Sequence, residues 1–390
     1  MQSGLQSFSE GILFSGVLKV AALLGVILVT VGCGLVEKPA WPQPQPQPQP
    51  QSQPVIPKPA ERHLVYEKLG QRGVWIADVN GGHARLLVRG GRAPVISPDG
   101  RWVVYVSCNP KEELDCKGTF VISTSGGKPQ KLSSDLNAGP PGAAAGAWFP
   151  DSKRILVSRG STDKQALISI DLASGKELKL VDDSSGSWSF SPDGTQIVYV
   201  RASPPVSASG TTRTDLFVVD STGGEPKQIT HTGDSVSPVW GPKSIAFARL
   251  FPDRQWGRNE IWQVHPDGSG LETITGPLPK PYRSESGGDA KDGIAPVAWS
   301  EDGRALLGGF FWGSEIPIAV DPESGEIRAL GKNDYPYAVA ISRDGRAALA
   351  YTYPLIGGYS DDTATVVIIP YAGGKEKVAA RLAGSPSWNR

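Results

Sequence analysis

The sequence predicts an all-β ring of repeated four-stranded units, and three observations carry that prediction. First, the turn Ser-Pro-Asp-Gly stands at Ser97–Gly100 and Ser191–Gly194. Degenerate copies stand at Phe149–Ser152, Gly241–Ser244, Ser300–Gly303 and Ser342–Gly345. Second, each copy opens the same succession: an apolar strand, a loop of variable length, another strand, a Gly turn and a short last strand. Such a unit, recurring roughly every 40–60 residues, is the pattern of a β-propeller blade. Third, 47 Gly and 34 Pro among 390 residues supply turn chemistry that suits many short strands and disfavours a helical bundle.

Taken in order, residues 1–33 read as a targeting segment. The apolar run Val20–Val31 follows Lys19 and precedes Gly32-Cys33. Basic residue, apolar stretch and small residue form a secretory pattern. Thr30-Val31-Gly32-Cys33 resembles the lipobox of bacterial lipoproteins, although Thr30 stands where that family usually has an aliphatic residue. The resemblance implies lipidation of Cys33 and attachment to a membrane through the N-terminal lipid. The competing reading is an uncleaved membrane helix from Ile12 to Val36. The leader ahead of Lys19 is long and holds Glu10, so initiation at Val17 is the expectation for a compact signal.

Residues 34–61 are expected to be a tether. Pro42–Gln51 reads PQPQPQPQPQ, and proline at alternate positions removes backbone donors and fixes φ, which forbids helix and sheet. The expected form is polyproline II, rising ~3.1 Å per residue. It would space a domain from its anchor. A Pro-rich ligand for a partner groove is the alternative.

Residues 62–390 carry the repeats. In each turn Pro presets φ, Asp hydrogen-bonds its own turn and Gly takes positive φ. Three residues before the turn Asp or its substitute stands a large apolar side chain: Ile96, Trp148, Phe190, Trp240, Trp299 and Ile341. These are expected to pack between blades. A seventh copy, Trp388, follows Ser385-Pro386-Ser387 at the C-terminus, where no blade follows it. The opening segment has the complementary defect, three strands without a first. The C-terminal strand should therefore complete the N-terminal blade, giving a seven-bladed β-propeller without free edges. Six blades are the alternative. The spacings, with the SPDG turn and Gly223-Gly224 before Ile229-Thr230, resemble the TolB-type propeller repeat over nearly all of 62–390. TolB has six blades, a separate N-terminal domain and no lipid anchor, so the resemblance implies the fold and not the Tol–Pal role.

The insertions fall on one face of this ring, in the second-to-third-strand and blade-to-blade loops, and loops carry function more often than scaffold turns do. Trp, Tyr and Arg are favoured at interface centres. The candidate partner-binding residues are therefore Phe251, Arg254, Trp256 and Arg258, then Tyr282 and Arg283, then Trp312, Tyr353 and Tyr359. Trp312, with Phe310, also reads as a strand-end packing residue. The expected partner is a protein or glycan, and the propeller is expected to be monomeric. A propeller enzyme, a hydrolase or lyase with a central-channel site, and a structural subunit of an envelope complex are the alternatives.

Lys+Arg and Asp+Glu both number 39, which supplies no basic surplus for nucleic acid. There is no G-x-S-x-G and no H-E-x-x-H, and the four histidines stand apart in sequence. No cofactor or metal is expected; Asp289, Asp292, Asp361 and Asp362 read as solvated loop carboxylates. Cys108 and Cys116 flank a loop whose ends antiparallel pairing should bring together. A disulfide between them is expected in an exported protein, where oxidising conditions preserve it.

Overall fold

The computed structural model describes residues 62–69, 71–109, 116–133, 146–161, 164–203, 212–250, 259–275, 293–310, 317–331, 337–352 and 364–389. Among them are 27 strands and no helix. The first sheet contains β1 (His63–Lys68), β2 (Gly73–Asp78) and β3 (Arg85–Arg89). The second is β4 (Gly91–Ile96), β5 (Trp102–Cys108), β6 (Cys116–Ser123) and β7 (Gln130–Ser133). The next seven strands share one sheet: β8 (Ala147–Trp148), β9 (Arg154–Gly160), β10 (Gln165–Asp171), β11 (Glu177–Phe190), β12 (Gln196–Ser203), β13 (Arg213–Asp220) and β14 (Lys227–Gln228). Three four-stranded sheets follow. They are β15 (Ser235–Trp240), β16 (Ile245–Leu250), β17 (Asn259–Val264) and β18 (Glu272–Thr273); β19 (Ile294–Trp299), β20 (Leu306–Phe310), β21 (Pro317–Val320) and β22 (Ile327–Ala329); and β23 (Tyr337–Ile341), β24 (Ala347–Tyr351), β25 (Thr365–Pro370) and β26 (Lys377–Arg381). The last strand, β27 (Ala383–Trp388), pairs antiparallel with β1, so the first sheet reads β27-β1-β2-β3.

The repeated turns are built as their residues require. Ser97 Oγ donates to Asp99 Oδ1 at 2.6 Å and accepts from Trp102 N at 3.0 Å. The same serine–aspartate bond recurs at Ser191–Asp193 (2.6 Å), Ser300–Asp302 (2.7 Å) and Ser342–Asp344 (2.7 Å). That hydroxyl, helped by a backbone N–H, holds the carboxyls of Asp193, Asp302 and Asp344 below the usual range. Glycine in the turn meets two demands. Gly194 sits at φ +70°, and a Cβ there would lie 2.8 Å from Cδ of Pro150, the turn proline of the preceding repeat. In the last two repeats the proline is replaced by Glu301 and Arg343. These two form a forked ion pair, with Arg343 Nη2 2.7 Å from Glu301 Oε1 and Nε on Oε2.

The seven apolar anchors each fall in a different hydrophobic cluster. Trp388 packs with Leu349 and Val366 as well as Leu64, joining the last four-stranded sheet to the first. Ile96 joins β1 and β2 residues to β5 and β6 residues. Trp148, Phe190, Trp240, Trp299 and Ile341 each occupy one of the remaining five. Two of the tryptophans also satisfy their ring N–H across the seam. Trp148 Nε1 donates to Val95 O at 3.0 Å, and Trp299 Nε1 to Val239 O at 3.2 Å. The core is thus a series of inter-sheet seams rather than one central mass.

Two local features differ from expectation. The fourth strand after Gly175 was expected to be short, but β11 runs 14 residues. It stays in the ladder because fully buried Ser184 pairs with Gln165 on one side and Arg201 on the other. Asp183 beside it takes Arg201 Nε at 2.8 Å and the Tyr199 hydroxyl at 3.2 Å. The second-to-third-strand loop of the next unit is also shorter than the sequence suggests, because β12 and β13 pair out to Ser203 and Arg213. Cys108 and Cys116 form the expected disulfide, with Cα atoms 3.8 Å apart at the end of the β5–β6 pair.

Candidate functional site

A cavity of about 1090 Å³ runs along the first strands of the repeats. Its wall is contributed by β4, β8, the second half of β11, β15, β19, β23 and β27. Six of these strands lie at the edge of their sheet. Their irregularity has a repeated form. In β4, Arg92 pairs with Val106 and Val95 with Val104, so Ala93 and Pro94 together oppose Tyr105. Ser237 and Pro238 oppose Phe247 in the same way, and Ser385 and Pro386 oppose Tyr66. Each is a β-bulge that leaves a residue out of the ladder. The residue before the proline takes positive φ in all three: +47° at Ala93, +52° at Ser237 and +46° at Ser385. Such backbone costs about 1–2 kcal/mol per non-glycine residue, and strain of this kind concentrates at functional sites.

One of these bulges has an evident support. The Glu67 carboxylate accepts from Ala93 N at 3.4 Å through Oε2 and from Arg92 Nε at 3.2 Å through Oε1. Glu67 is only 8 % exposed. Burial pushes its carboxyl above the usual carboxylate range, and the Arg92 guanidinium opposes that rise.

Between its ends, the described part of the wall is aromatic and uncharged. Trp188, Trp240, Tyr337 and Tyr351 are half-buried and line it. Tyr337 and Tyr351 stack with centroids 5.2 Å apart, and Trp188 meets Phe190 edge-on at 5.5 Å. Trp188 Nε1 donates to Ser158 Oγ at 3.3 Å, which fixes the ring. Among the described residues, those that line it with a charge are Asp99, Asp151, Glu301 and Arg343. All four belong to the turns at one end, and each is engaged there: Asp151, for example, takes Arg154 Nε at 3.0 Å. None of His63, His83, His231 and His265 is in the lining. Among the described residues no three His, Cys, Asp or Glu side chains gather as a metal site.

The expected partner-binding residues Phe251, Arg254, Trp256, Arg258, Tyr282, Arg283, Trp312, Tyr353 and Tyr359 lie outside the described residues, as does Cys33. Sequence reasoning missed Trp188 and Tyr337. A signal for Trp188 existed, since it stands two residues before the anchor Phe190 and so shares its face of the strand.

No protein-family model matches the chain. Its solved neighbours include oligogalacturonate lyase in complex with manganese, at TM-score 0.56 and 15 % identity over 81 % of this chain and 83 % of that one. Another is the β-propeller domain of the trilobed protease from Pyrococcus furiosus, at TM-score 0.53 and 14 % identity over 79 % and 86 %. This chain is a β-propeller. The Pyrococcus propeller has an open velcro topology; in this propeller β27 pairs with β1. TolB from Acinetobacter baumannii is also similar, at TM-score 0.47 and 16 % identity over 83 % and 81 %. In sequence, 134 residues are 28 % identical to dipeptidyl-peptidase 5 of Porphyromonas endodontalis. The match spans 34 % of this chain and 17 % of that relative's length.

Proposed function

We propose that this propeller is a membrane-anchored, extracytoplasmic binding module that takes a protein or glycan partner at its long-loop face. The observation that carries the reading is the channel. Among the described residues its lining gathers no histidine–carboxylate constellation for acid–base chemistry, which supports recognition over catalysis. The Cys108–Cys116 disulfide supports an oxidising compartment, and the Cys33 lipobox with the Pro/Gln-rich tether supports an anchor that holds the propeller away from the membrane.

The propeller has seven blades on this reading. The seven-stranded sheet divides at Ser184, where β11 changes partner from β10 to β12, so that one strand ends one blade and begins the next. Seven seams with one anchor each support the same count, and β27 closes the ring on β1.

The test is capture from an envelope extract by the full chain, beside a Trp256→Ala/Arg258→Ala double variant. The reading expects a partner that the variant loses while its melting temperature holds. Capture unchanged in the variant, or a variant that unfolds, removes these residues from recognition. Anchoring is tested separately: Cys33→Ala should move the protein from the membrane to the soluble fraction.

A further inference from the structure

The channel asks for a ligand of its own, apart from the partner face, and its chemistry narrows the class. Its length along the strands carries no formal charge, because the four charged lining residues sit in the turns at one end and are engaged there. An anionic ligand such as a nucleotide, an acidic sugar or a lipid phosphate would find no cation among the described residues along that wall. An extended peptide is disfavoured for a different reason. A peptide would add to the inner strand edges through their N–H and C=O groups. Here Pro94, Pro238, Pro296 and Pro386 remove donors from four of those edges, and the bulges at three of them break the repeat that strand addition needs.

What remains is partly buried aromatic side chains together with short hydroxyls. Trp188 and the Tyr337–Tyr351 stack offer flat apolar surface, and Ser189, Ser385 and Ser387 line the same cavity. The volume of about 1090 Å³ lies just above the usual range of ligand pockets, roughly 300–1,000 Å³. Neutral sugars match this set, since a pyranose ring presents C–H groups to aromatic planes and hydroxyls at its rim. We propose that the channel binds a neutral oligosaccharide, clasped by Trp188 and the Tyr337–Tyr351 pair.

The experiment titrates the full chain, in mild detergent, with cellotetraose, maltotetraose and the N-acetylglucosamine tetramer, followed by tryptophan fluorescence and calorimetry. Tetragalacturonate and a four-residue neutral peptide are the comparison ligands. At least one neutral sugar should bind saturably, and Trp188→Ala should weaken it tenfold or more. Should Trp188→Ala unfold, Tyr337→Ala provides the same test from the tyrosine pair. Binding of none of the three neutral sugars, preference for the anionic sugar or the peptide, or sugar binding untouched by both variants overturns the proposal. Partner capture by these variants should be unchanged, so failure here and failure of the partner reading are told apart.

Discussion

Two glycines with the same backbone conformation separate the cost of conformation from the cost of packing. Gly175, in the turn between β10 and β11, has φ +68° and open space where a Cβ would be. Gly194, in the Ser-Pro-Asp-Gly turn, has φ +70°, but a Cβ there would lie 2.8 Å from Pro150 Cδ and 3.1 Å from its Cγ. Alanine at Gly175 should therefore cost only the left-handed conformation, about 1–2 kcal/mol. Alanine at Gly194 should cost that and an overpacking term of about 1–3 kcal/mol, because a proline ring is tied to its backbone and cannot swing away. Guanidinium unfolding of both variants against the parent reads the difference as a shift in midpoint at constant slope. Gly194→Ala should show the larger shift, by at least ~1 kcal/mol. Equal shifts would refute it, showing that the turns of successive repeats do not bear on one another.

Other outcomes follow from single features. Alkylation of the native protein should spare Cys108 and Cys116 until reductant is added, and replacing both with Ser should cost about 2–3 kcal/mol through the short loop they close; two thiols labelled without reduction would contradict the bond. Glu67 gives a pH signature. With its folded value raised above 4.5, its stabilising proton is fully bound below the unfolded value and is lost as pH rises through the folded one. Glu67→Gln should therefore gain stability relative to the parent as pH rises above 4.5. A difference between the two proteins that is flat in pH would contradict this. The Glu301–Arg343 pair is more than half exposed on both sides, so a double-mutant cycle should give a coupling of ~1 kcal/mol or less.

The repeat was legible in the sequence because its turn is local chemistry. Ser97, Asp99 and Gly100 make their bonds to one another, so four letters suffice to see them. The anchors were legible because a tryptophan in fixed register with a turn has one plausible place, a seam. What the sequence concealed depends on neighbours far along the chain. Asp182–Gly186 has the polar composition of a loop, yet Ser184 is held in the ladder by Gln165 and Arg201. The positive φ at Ala93, Ser237 and Ser385 runs against the extended preference of a residue before proline, so no local rule announces it. Glu301 and Arg343 read as lapses in the turn pattern, and only their adjacency in space shows that a charge pair has replaced two prolines. Trp188 and Tyr337 stand on strands and not on the long loops, and only the convergence of strands from separate repeats makes them one wall.

Everything proposed for the channel requires that the C-terminal strand close the ring. The most direct test is the stability of a chain ending at Leu382, which lacks β27. Trp388, 7 % exposed and packed against Leu349 and Val366, goes with it, a loss of about 3–5 kcal/mol for a buried tryptophan, and β1 is left as a bare edge. The account predicts a large fall in the unfolding midpoint and a tendency to aggregate. A shortened protein that unfolds cooperatively at the full-length midpoint would contradict it.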